Sequence, residues 1–138
     1  MKVQIYRIFA ILGIFFGFAV VSVQAQAPSR VEVNIPFEFS AGKTTLKPGV
    51  YSVKRMSGNL VSLRNTEDKS SVILNAPINL TSIDTEAGER LVFNKDGDQY
   101  LLSQIWLTVD TGRQLPVKTK ATTPELIVLS LRTTAMNR

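Results

Sequence analysis

The sequence predicts an all-β protein: a single compact antiparallel β-sandwich or small barrel of about seven to nine strands. Three observations carry this. Val31 to Phe39 alternates strictly between apolar and polar residues. Turn signals then recur every 8 to 12 residues or so, the spacing of short strands in a sandwich or barrel. An Asp96-Gly97 pair sits between two apolar runs, as in a tight hairpin.

In the first strand, Val31, Val33, Ile35, Phe37 and Phe39 share one face, and Glu32, Asn34, Pro36 and Glu38 share the other. Period two means a half-buried strand. Pro36 has no N–H for a ladder, which predicts an edge strand or a break. Ala41-Gly42-Lys43 turns the chain, and Pro48-Gly49 reads as a type II turn into a strand from Val50 to Arg55. Ser57-Gly58-Asn59 leads to a strand from Leu60 to Asn65, and Glu67-Asp68-Lys69 to one from Ser71 to Ala76. The hairpin at Asp96-Gly97 joins Arg90–Asn94 to Gln99–Leu107, the latter apolar on both faces like an interior strand. After Gly112 the chain becomes polar and basic. Thr123-Pro124-Glu125 could cap a helix, but Leu126 to Leu131 is short and β-rich, which favours a final strand.

Ahead of the domain, Met1 to Ala25 has the form of a cleavable secretory signal peptide. Lys2 and Arg7 give a positive start, and Ile8 to Val23 is a nearly unbroken apolar run. At roughly 16 residues this run falls short of the about 20 that span a bilayer. Val23 and Ala25 suit the two subsites of signal peptidase, so cleavage is expected between Ala25 and Gln26. The mature chain, residues 26–138, is then a single all-β domain, secreted or periplasmic.

Composition limits its chemistry. Without Lys2 and Arg7 the 16 basic residues fall to 14 against 11 acidic ones, a net charge of +3 dispersed along the chain. That gives little ground for nucleic acid as a partner. The chain has no Cys and no His. Disulfides, acylated cysteine, Ser-His-Asp triads and imidazole-based zinc sites are therefore excluded.

The remaining acidic motifs read best as turns. Asp110-Thr111-Gly112 matches the aspartic-protease triplet, whose two carboxylates share a proton to activate water. Only 26 residues follow it, too few for the flap and second signature of that fold, and Arg113 replaces the small residue that should come next. Asn94, Asp96 and Asp98 alternate like calcium ligands, but no closing Glu follows. Asp84, Glu86 and Glu89 all come from one short loop, whereas glycosidase carboxylates flank a cleft. Asn79-Leu80-Thr81 is a glycosylation sequon by pattern alone. No catalytic residue, cofactor or metal ligand is expected.

Ile35-Pro36-Phe37, Phe39, Ala41-Gly42, Leu46, Gly49 and Tyr51 form an IPFxF…G…LxxGxY pattern. In it the chain resembles an uncharacterised family of small secreted bacterial all-β proteins. The similarity extends through Leu91–Tyr100, Ser103–Trp106 and Gly112–Pro116, covering most of the mature chain. Many members carry a longer charged stretch after Gly-Arg-x-Leu-Pro, cut here to Val117–Ala121. Leu46 to Tyr51 is also similar to a strand of transthyretin-like and carboxypeptidase regulatory-like β-sandwiches. The resemblance implies export and a β-domain, and brings no catalytic residues.

Three functions follow as expectations. The first is a non-enzymatic binding or envelope-associated β-domain, touching its partner through an edge strand or the apolar space between sheets. The second is a carrier of a lipid-like or other small apolar ligand, lined by Phe37, Phe39, Tyr100 and Trp106. The third is a carboxylate hydrolase built on Asp110.

Overall fold

The computed structural model describes residues 30–120 and 122–134; the expected signal peptide and its Ala25–Gln26 junction lie outside them. The described chain is all-β and folds into two sheets. The first has the order β12 (Arg132–Thr134), β1 (Arg30–Ile35), β4 (Gly49–Arg55), β5 (Leu60–Asn65) and β6 (Ser71–Asn75). The second runs β11 (Glu125–Ser130), β8 (Arg90–Asp96), β9 (Gln99–Trp106), β10 (Thr111–Gln114) and β7 (Ile78–Thr81). It also takes in β2 (Phe39–Ala41) and β3 (Thr44–Leu46), β2 pairing with β9 through Ser40 and Leu101.

Twelve strands among the described residues replace the expected seven to nine. The first expected strand is two: β1 ends before Pro36, and Pro36-Phe37-Glu38 carries the chain to β2 in the other sheet. Nor is β1 an edge, because β12 pairs with its first half from Arg30 to Glu32. The alternation survives the crossing because both sheets face one core. Val33, Ile35, Tyr51, Val53, Val61 and Leu63 from the first meet Phe39, Leu91, Phe93, Leu102 and Ile105 from the second. The expected final strand over Leu126 to Leu131 is β11 as far as Ser130, with Ile127 and Leu129 turned to the core, and Leu131 separates it from β12.

Pro48-Gly49 is not the expected type II turn: Gly49 has no positive φ and already belongs to β4. Its role is close approach. A Cβ there would sit 2.9 Å from the side-chain nitrogen of buried Asn65, whose Oδ1 accepts the N–H groups of Glu67 (2.8 Å) and Asp68 (3.2 Å). Two residues on, fully buried Tyr51 donates its hydroxyl to the Lys47 carbonyl at 2.7 Å. This ties the β3–β4 corner down as a tyrosine corner does. Tyr51→Phe leaves that carbonyl without its donor and should cost about 1–2 kcal/mol in urea denaturation. An unchanged midpoint would mean that water replaces the bond.

The same corner carries an ion pair, Lys47 Nζ to Asp68 Oδ2 at 2.6 Å. The Lys47 ammonium, then the Ser70 hydroxyl and N–H, hold the Asp68 carboxyl well below its ordinary 3.8. A depressed carboxylate stabilises the fold fully above its unfolded value, and that contribution fades as pH falls below about 4. Both groups are exposed, so the effect should be small and vanish in roughly 1 M salt. In Asp68→Asn the melting temperature should fall less between about pH 5 and pH 3 than in the parent chain. Equal slopes would show that the pair contributes nothing.

Candidate functional site

The second sheet has a built irregularity that opens the fold at one side. Val92 pairs with Gln104 but Phe93 with Leu102, which leaves Ser103 as the extra residue of a β-bulge. Ser103 donates its hydroxyl to the Val92 carbonyl at 3.0 Å, and its own carbonyl accepts the Leu115 N–H at 2.9 Å. Before this point, at Leu101, β2 lines the edge of β9; after it, from Gln104 to Trp106, β10 does. The bulge also lets Leu102 and Ile105, three apart, both face the core.

On the far side of β10 lies β7, and their last pair is Ile78 with Gln114. Just past that pair stand Pro77 on one chain and Pro116 on the other. The next hydrogen-bonded pair would be Ala76 with Pro116, but Pro116 has no N–H and Ala76 gives its own to the Asn59 carbonyl, so the ladder ends there. The two chains separate, one as β6 into the first sheet and the other as an extended arm, Leu115–Lys118. An open cleft of about 720 Å³ lies between Val72–Asn75 of β6, the Leu115–Lys118 arm, Leu101 and Leu102 of β9, and Ser40–Thr44 around the β2–β3 turn.

Leu74, Leu102, Leu115 and Ala41 are buried and make its apolar base, while Ile73 is 58% exposed. Lys43 and Lys118 are the charged residues that line it, and neither is in an ion pair among the described residues. Among the described residues β6 pairs with β5 alone. Its hydrogen-bonding phase follows from two bonds at its ends, Asn65 N–H to Ser70 C=O at 2.8 Å and Ala76 N–H to Asn59 C=O at 2.9 Å. Antiparallel alternation then turns the backbone groups of Val72 and Leu74 to β5. Those of Ser71, Ile73 and Asn75 point to the open edge.

Comparison with known families, curated proteins and solved structures returned no match.

The four aromatics expected to line one cavity do not share one. Phe37 stacks on Tyr100 at 3.9 Å between centroids and meets Phe93 edge-on at 5.2 Å; Phe39 meets Phe93 at 5.5 Å and Tyr51 at 5.3 Å. These rings fill the space beside one another. Trp106 follows core-facing Ile105 and so lies on the opposite face of the sheet. It is nonetheless 5% exposed, because Arg90 lies over its ring at 4.3 Å and Gly112 lies against it. Its Nε1–H donates to Gln104 Oε1 at 2.9 Å.

The acidic candidates occupy turns. Asp110 Oδ1 accepts the hydroxyls of Thr108 (3.1 Å) and Thr111 (3.2 Å) in the β9–β10 connection. Asp96 accepts the Lys120 N–H at 2.9 Å, and Gly97, at φ +63°, opens the two-residue loop to β9. Asp84 accepts the Glu86 N–H at 3.0 Å within its own loop. Asn79 lies in β7, opposite Arg113. Among the described residues no three acidic side chains gather as a metal site would need.

The cleft was not readable from its residues. Pro116 was the available signal, but that it falls opposite Ala76 depends on the β7–β10 register.

Proposed function

We propose that this chain is an exported, non-enzymatic binding domain, a β-sandwich that holds its partner in the cleft between β6 and the Leu115–Lys118 arm. The observation that carries this reading is the coincidence of an apolar base with an unpaired sheet edge. Natural sheets cover or charge such edges, because unpaired N–H and C=O groups invite another strand. Here the edge lies open beside about 720 Å³ of space, within the range of ligand-holding clefts. The engagement of Asp110 and Asp84 in their own turns, and of Asp96 by the Lys120 N–H, supports a role without catalysis. The apolar run before Gln26 and the likeness to small secreted β-proteins support export.

Native mass spectrometry of the protein released from its own envelope fraction tests the whole reading. The expected species begins at Gln26 and retains a second, defined mass. Ile73→Asp, a change at an exposed position, should release that mass without unfolding the domain. A chain still carrying residues 1–25 would overturn the export reading. A mature chain with no companion, or a companion indifferent to Ile73→Asp, would overturn the assignment of the cleft.

A further inference from the structure

Resting on that reading, we infer that the partner is an extended peptide segment of another protein. It adds as a strand to β6, with apolar side chains at alternate positions and an acidic group near one end. Ser71, Ile73 and Asn75 offer N–H and C=O groups along a five-residue strand, about 17 Å of edge. Only another extended backbone matches that ladder of alternating donors and acceptors.

Side chains then fix what the strand must carry. Successive residues of an added strand point to opposite faces. One set would meet Val72, Leu74, Leu115 and Val117 on the core side, and the other would emerge beside Ile73. The charged residues lining the cleft, Lys43 and Lys118, are both cationic. A peptide carboxylate is therefore favoured, and a basic flank is not. The same charges argue against a second copy pairing β6 to β6, which would bring both pairs of lysines together. An acyl chain would suit the apolar base but would leave the β6 edge unused.

The probes are four synthetic nonapeptides with Glu at each end, threonine at alternate positions and alanine, valine, leucine or phenylalanine at the others. Titration is followed by calorimetry and by amide hydrogen exchange. At least one peptide should bind saturably and slow exchange of the Ser71, Ile73 and Asn75 amides about tenfold or more. N-methylation at alternate peptide residues, in whichever register faces β6, should weaken binding about tenfold or more, as should replacing the Glu residues by Lys. Ile73→Pro removes an N–H that β5 does not use, so the fold should persist. Unchanged protection of β4 and β5 would verify this, and peptide binding should be lost.

Binding without protection of Ile73, or binding unaffected by Ile73→Pro, would overturn the inference. So would the absence of binding by all four peptides. Decanoate is titrated in parallel. If it binds and no peptide does, the peptide inference fails while the cleft remains a binding site. If neither binds and no mass is retained on the native protein, the cleft assignment fails as well.

Discussion

Phe93→Ala is expected to lower the unfolding free energy by about 3–5 kcal/mol, a large part of the roughly 5–15 kcal/mol that stabilises a domain. Phe93 is fully buried in β8, opposite Leu102 and immediately beside the bulge at Ser103. Its ring touches the edges of both Phe37 and Phe39, so it joins the crossover segment to the strand that follows. Alanine leaves a cavity that these neighbours cannot close, since Phe37 is held by Tyr100 and Phe39 by Tyr51. Urea denaturation gives the number. A loss below about 1.5 kcal/mol would show that the aromatic cluster repacks freely.

The second large effect concerns Gly112 on the outer face. A Cβ there would lie 2.5–2.7 Å from three carbons of the Trp106 ring. The ring has little freedom to retreat, because Arg90 lies over it and Gln104 accepts its N–H. Gly112→Ala should therefore cost about 1–3 kcal/mol of overpacking, and each kcal/mol should lower the melting temperature by about 4–8 °C. In a Trp106→Leu background the same change should cost less than about 1 kcal/mol, because the smaller side chain can yield. Equal costs in both backgrounds would place the penalty in the backbone rather than at the ring.

Turn signals found β4, β5 and β6, and period-two alternation found β1, because it records burial directly. It could not say that Pro36 moves the chain between sheets, since residues on either side of the crossing still face the same core. The apolar run Tyr100 to Leu107 looked like an interior strand for a different reason. A bulge at Ser103 changes its phase, and Trp106 is buried under Arg90 rather than in the core. Short strands such as β3, β7 and β10 escape detection because three or four residues hold too few alternations. The cleft depends on Pro116 falling opposite Ala76, a property of register that no local pattern encodes. The LxxGxY pattern was visible as a motif, and its Tyr51 and Gly49 serve a hydroxyl tie and a close approach at one corner.

The pairing of β1 with β12 joins Arg30 to Thr134. The first sheet therefore acquires its final strand only after nearly the whole described chain is available. A nascent chain would show β1 with one side bare and β6 open on the other. Closing loops of that length slows folding and prolongs the exposure of both edges. Refolding should accordingly be slow for a domain of this size, and a chaperone that shields strand edges would act before β12 docks rather than after.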